Sequence, residues 1–174
     1  HGPFDSAGQL IEALLGIGFE PDHVGVAGYP EGHPQIPDDA LEAALLEKGE
    51  HADRLITQIC FDASTTASWA SGLAERGIAV PIFVGLPGPV NRQKLVRISA
   101  GIGLGQSARF LQKQRSLFWR LLLPGGYDPT RLVKQLGAAL RRTDTYVAGL
   151  HVFTFNELAR TEAWRRKLSS SARA

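Results

Sequence analysis

Short apolar runs alternate along this chain with longer stretches in which apolar residues recur every three or four positions. The runs are Val24–Ala27, Leu55–Phe61, Val80–Val84 and His151–Phe155, and their length and apolar character predict buried strands. Ahead of the first, Leu10, Ala13, Leu14 and Ile17 share one face of a helix that Asp5 or Ser6 can cap. Pro37-Asp38-Asp39 opens a second helix to about Lys48, with its acids at the positive end. Asp62 or Ser64 caps a third over Thr65–Arg76, with Trp69, Ala70 and Leu73 inward and Gly77 as its stop. Helical pieces are predicted at Arg92–Ala100, Gln106–Arg115 and Ser116–Leu123. Asp128-Pro129 then opens a strongly amphipathic helix to Arg142. A terminal helix runs from Asn156 to about Leu168, and Ser169–Ala174 reads as a flexible tail.

Strands crossed by amphipathic helices argue for an α/β fold with a parallel sheet. Four strands are too few for an ordinary doubly wound domain of this length, and none carries a nucleotide fingerprint. The polar residues gather after the strands instead: Tyr29–His33, Gln58–Asp62, Leu86–Asn91 and Thr154–Asn156. A parallel (βα) barrel of TIM type places its site on that rim. Residues 1–168 therefore read as about four βα units, the second half of a (βα)8 barrel.

Composition narrows the picture without changing it. With 174 residues and 44% hydrophobic content, the chain can build one core. The formal net charge is only +2. The cationic Arg141–Arg173 stretch reads as a solvated helix, since no aromatics are interleaved as a base-stacking surface requires. Neither a nucleic-acid nor a membrane partner is expected, because no apolar run approaches the roughly 20 residues of a span. The single cysteine, Cys60, excludes an internal disulfide and suits a reducing compartment, so a cytoplasmic protein is expected. The chain opens at His1 and contains no methionine, which reads as a processed or trimmed sequence.

Three motifs carry candidate chemistry. In Gly25-Val-Ala-Gly-Tyr-Pro-Glu-Gly-His-Pro34 a strand runs into a loop stiffened by two prolines. Tyr29 there offers a flat face, and His33 can donate to an anionic oxygen or ring carbonyl. No metal site is expected, because His23 and His33 lack partners at ligand spacing. In Leu55–Asp62, strand alternation puts Thr57, Ile59 and Phe61 on one side and Ile56, Gln58 and Cys60 on the other. The Gln58 amide both donates and accepts, which suits the lactam edge of a pterin or flavin; Cys60 reads as a small apolar filler. Gly101-x-Gly-x-Gly105 follows a helix rather than a strand and so fails the context test for a dinucleotide loop.

Taken in order, the GVAGYPEGHP loop, the ITQ-x-x-FD block, the VGLPGPVN loop and GLH-x-x-T-x-N resemble the methylenetetrahydrofolate reductase family, from about Val24 to Leu168. The resemblance implies a flavin-dependent (βα)8 barrel that passes hydride from NADH or NADPH through FAD to 5,10-methylenetetrahydrofolate. It implies that Ala27, Tyr29 and His33 line the FAD, that Lys48 reaches its phosphates across a one-residue gap, and that Gln58 and Phe153 meet the folate substrate. The catalytic acid and the carboxylate that tunes the flavin belong to the first half of the barrel, so no catalytic residue is assigned among these residues. Arg92 and Glu157 depart from the family pattern: Arg92 continues the VGLPGPVN loop where an aromatic is common, and Glu157 stands where arginine is usual. These departures leave two other readings open, a flavin-independent reductase and a non-catalytic flavin- or folate-binding or assembly module. A half-barrel exposes two strand edges, so self-association or a separate amino-terminal half is expected as partner.

Overall fold

The computed structural model describes residues 3–33, 35–91, 93–94, 97 and 127–171. Helix α1 (Ala7–Gly16) begins where Ser6 accepts a hydrogen bond from the Gln9 amide at 3.1 Å. Strand β1 (Gly25–Gly28) and helix α2 (Asp38–Gly49) follow, then β2 (Arg54–Thr57), helix α3 (Ala63–Glu75) and β3 (Ile82–Pro87). Helix α4 (Thr130–Leu140), β4 (Val147–Phe153) and helix α5 (Leu158–Ser171) complete the order. Asp62 caps α3 through the Thr65 amide at 2.7 Å. Gly77 ends it with φ +79°, placing the Gly77 and Ile78 amides on the Ala74 and Leu73 carbonyls. Only glycine takes that left-handed turn at little cost.

The sheet is parallel throughout and its order is strictly sequential, β1-β2-β3-β4. Right-handed crossovers that always step the same way put every helix on one face of a sheet. The core confirms this placement. Val26, Leu55, Ile82, Val84 and Leu86 pack with Leu45 of α2, Ala70 and Leu73 of α3, and Leu132 and Leu136 of α4. Leu55, Ile82, Val84 and Leu86 are fully buried, worth roughly 1.5–3 kcal/mol apiece. The opposite face carries no helix among the described residues. There Gly25 and Ala27 are exposed, and Ile56, Phe83, Gly149 and His151 are partly so. This is the arc of a singly wound α/β sheet. A second apolar cluster, Ile59, Phe61, Val90 and Tyr127 with Phe153 and Phe155, covers the carboxyl ends of β2 to β4.

Several boundaries differ from the sequence reading. Strand β2 stops at Thr57 rather than Phe61, and the alternation expected beyond it fails. Cys60 lies in the helix-side core, 3.2 Å from the Thr57 hydroxyl, whereas Ile59 and Phe61 join the second cluster. Strand β3 continues through Pro87, and β4 begins at Val147, because β3–β4 pairing overrides the breaker signals of Gly85, Pro87 and Gly149. Helix α5 continues to Ser171, past the Leu168 expected, and residues 172–174 of the expected tail lie outside the described residues. Trp164 of α5 donates to Thr130 at the start of α4 at 2.9 Å. Arg165 and Arg166 both bond Glu162 at 2.7 Å, which locally offsets the cationic stretch. The helices expected between Arg92 and Leu123, Arg92 itself and the Gly101–Gly105 stretch lie outside the described residues, isolated positions excepted.

Candidate functional site

The carboxyl ends of the strands bring the loop residues together. Ala27, opposite Ile56 in register, leaves a small side chain on the open face. Two residues on, Tyr29 meets His33 edge to face, with ring centroids 5.4 Å apart. His33 is half-buried, and its Nδ1 accepts from the Gln35 and Ile36 amides, both at 3.2 Å. That fixes the tautomer: the ring proton sits on Nε2, leaving a donor for a ligand. Lys48 reaches the same group from α2, its ammonium 5.9 Å from the centre of the Tyr29 ring. It is buried, and burial lowers its pKa below the usual lysine value against the opposing charge of Glu47. No carboxylate pairs with it among the described residues, a setting that favours an anionic ligand group.

Gln58 leaves the adjacent strand with its backbone N–H donating to the Gly28 carbonyl at 2.8 Å. Its Oε1 accepts from the Ile59 amide at 2.9 Å, so the side-chain NH2 is the end left for a ligand. Phe153 comes from β4, two strands away. Its ring lies over Gly85, where an added Cβ would come within 2.9 Å of both Phe153 Cε2 and the Gln58 carbonyl oxygen. Gly85 thus lets Phe153 close on the row that Gln58 begins. Tyr29, His33 and Lys48 form one group. Ala27 precedes it on β1, Gln58 is joined to that strand end through the Gly28 carbonyl, and Phe153 stacks with His151 at 4.7 Å and Phe155 at 6.3 Å.

Four features of the site escape sequence reasoning. Glu31 is buried, and its Oε1 accepts from the Phe61 and Asp62 amides at 2.6 and 2.7 Å. Phe155 and Asn156 turn the chain into α5 with φ of 49° and 64°. Asn tolerates that region, but an aromatic residue there costs on the order of 1 kcal/mol. Glu157 pairs with Lys94 at 2.8 Å, and the lysine holds its carboxyl below the usual glutamate range. Finally, a crevice of about 500 Å3 lies between α2 and α3, lined by Leu45, Trp69 and the Glu42–Arg76 ion pair among others. It shares Ala27 and Tyr29 with the site but contains none of His33, Lys48, Gln58 and Phe153.

Asp62, which starts α3 beside this turn, is pushed up by burial, but hydrogen bonds from Thr65 and Ser64 outweigh that and leave it below the usual carboxylate range. The Cys60 thiol is pushed up to about 12 by burial and then by Glu31, against hydrogen bonds from Thr57 and Thr66. Its folded value lies above its ordinary 9.0, so the protonated thiol contributes stability that is complete below about pH 9. That contribution falls away as pH rises toward 12. The stability gap between the wild type and Cys60→Ala should therefore narrow from pH 8 to pH 11 in urea titrations; a constant gap would contradict the burial of this thiol.

Among the described residues, no helix is long and apolar enough to cross a membrane, and no group of His, Cys, Asp and Glu is placed to hold a metal ion.

A family model described as methylenetetrahydrofolate reductase matches residues 2–103, more than half of the chain. Methylenetetrahydrofolate reductase 2 of Saccharomyces cerevisiae is 28% identical over 175 aligned positions, 90% of this chain and 26% of that protein. Methylenetetrahydrofolate reductase 1 of Schizosaccharomyces pombe is 37% identical over 67 positions, 36% of this chain and 11% of that protein. A probable methylenetetrahydrofolate reductase (NADPH) of Caenorhabditis elegans is 33% identical over 78 positions, 44% and 12%. The chain spans about a quarter or less of the length of these relatives.

Proposed function

Because this chain belongs to the methylenetetrahydrofolate reductase family, we propose that it supplies the flavin- and folate-facing half of a reductase barrel. The reaction is hydride transfer from NADH or NADPH to 5,10-methylenetetrahydrofolate, giving 5-methyltetrahydrofolate. The observation that carries this reading is the grouping of Tyr29, His33 and Lys48 beyond β1, with Gln58 leaving the adjacent parallel strand hydrogen-bonded to Gly28.

These residues fit FAD by their donor set. Lys48 is a buried cation that pairs with no carboxylate among the described residues and suits a phosphate; His33 Nε2 is a donor, and Tyr29 and Ala27 present flat, uncluttered surface. FAD, when bound, would accept hydride from the nicotinamide and return it to the folate. The chain's own part is positioning. Lys48 and His33 anchor negative oxygens, and the Gln58 NH2 orients the pterin by donating to its ring carbonyl. Phe153 bounds the folate side and excludes water. The proton donor that opens the folate ring and the carboxylate that tunes the flavin are assigned to another part of the barrel. Closing a (βα)8 barrel takes four more strands beyond β1 and β4, the outer strands of the described sheet. We assign them to an amino-terminal half of the same protein or to a second copy.

The test is oxidation of NADH or NADPH, followed at 340 nm, on adding methylenetetrahydrofolate to the protein that carries this chain. Folate-dependent turnover supports the reading, and a flat trace at high enzyme concentration ends it. A second reading, a binding or assembly module without turnover, is favoured by Glu157. The family usually has arginine there, and this carboxylate is tied to Lys94 instead. It predicts binding of flavin or folate in that assay's mixture with no oxidation.

A further inference from the structure

The turn that leaves β2 contains five successive backbone N–H groups, and each has an identifiable acceptor. Gln58 donates to the Gly28 carbonyl at 2.8 Å and Cys60 to the Gly85 carbonyl at 2.9 Å. Ile59 uses the Gln58 side chain at 2.9 Å. Neighbouring strands or the turn itself therefore satisfy three of them. Phe61 and Asp62 are satisfied from outside, both by Glu31 Oε1, at 2.6 and 2.7 Å. Glu31 lies between Tyr29 and His33 in sequence, is only 8% exposed, and turns inward while they line the site. A carboxylate that accepts two amides makes short, charge-assisted bonds, and these amides sit at the positive end of α3.

We propose that Glu31 is a positioning residue: its buried carboxylate clamps the Gln58–Asp62 turn to the Tyr29–His33 loop and so sets the spacing between the two walls of the ligand site. This rests on the reading of that site as a flavin and folate site. Glu31 touches no ligand itself. It fixes where Gln58 stands relative to His33, two groups that must meet one ligand assembly at the same time. The loop without the clamp would keep its residues and lose their register.

The test compares wild type, Glu31→Gln and Glu31→Leu in the protein that carries this chain. It reads amide hydrogen exchange, labelling of the buried Cys60 thiol, and FAD affinity by flavin fluorescence. In Glu31→Leu, exchange at Phe61 and Asp62 and labelling of Cys60 should rise at least ~10-fold, and FAD should bind at least ~10-fold more weakly. The amides of Val133 and Leu136 in α4 should keep their protection, because the loss is local. Glu31→Gln retains an acceptor oxygen and should recover most of each effect. Unchanged exchange in Glu31→Leu would overturn the clamp. Faster exchange with unchanged FAD affinity would overturn its positioning role, as would loss of protection spread into α4. If wild type binds no FAD, the flavin reading falls separately, and the clamp is judged on methylenetetrahydrofolate affinity in the same three proteins, with the same expected ratios.

Discussion

Gly85→Ala should cost about 3 kcal/mol or more, lowering the melting temperature by about 6–12 °C for a chain of this size. The added Cβ would meet the Thr57 carbonyl oxygen inside contact distance, and the Gln58 carbonyl oxygen and Phe153 Cε2 at 2.9 Å. Two of these three atoms belong to the backbone of the neighbouring strand and its exit turn, so they cannot swing aside. Strands β2 and β3 must part, and the Gly85 amide bond to the Thr57 hydroxyl at 2.8 Å goes with them. Gly72→Ala is the control of opposite sign. It lies within α3 with nothing inside 4 Å of its added Cβ, and should gain about 0.5–1 kcal/mol from helix propensity and unfolded-chain entropy. Urea titrations of both variants would decide the matter, and equal stabilities would refute the close approach at Gly85.

Gln58→Glu should reduce kcat/KM for methylenetetrahydrofolate at least ~100-fold, about 2.7 kcal/mol of transition-state stabilisation. The substitution is chosen because of the Ile59 amide. Glutamate keeps an oxygen to accept that bond, so the turn stays satisfied and the melting temperature should move little. What it removes is the NH2 donor, replacing it with a second acceptor that faces the pterin carbonyl. A large drop in activity with an unchanged melting temperature is the expected pairing. Retained activity would remove Gln58 from the site, and a large stability loss would show that its part is structural.

Much of the fold was legible from periodicity. The helix starts at Ser6 and Asp62, the stop at Gly77 and the alternation of strands with helices follow from local chemistry, and the structure reproduces them. Sequential strand order is not written in any local pattern, although it determines that one face of the sheet stays open. The missed boundaries share a cause. Gly85, Pro87 and Gly149 carry turn signals that hold for isolated segments, and pairing between β3 and β4 outweighs them.

At the site, Tyr29, His33 and Gln58 were legible as polar residues following apolar strands. Glu31 lies in the same motif, but its role is hidden there because its partners are amides thirty residues away. A carboxylate that serves backbone N–H groups leaves no spacing rule behind. Cys60 shows the complementary failure. Its burial was foreseen, but the face was not, because the period of two ended with the strand at Thr57. Glu157 departs in sequence from the family pattern, and its Lys94 partner is visible only in three dimensions.

The most direct test is a crystal structure of the protein that carries this chain, grown with FAD and 5-methyltetrahydrofolate. The flavin should lie against Ala27, Tyr29 and His33, with Lys48 toward its phosphates and the Gln58 NH2 within hydrogen-bond distance of a planar ring. Ring systems bound elsewhere, or a bound flavin that touches none of Tyr29, His33 and Gln58, would contradict the site.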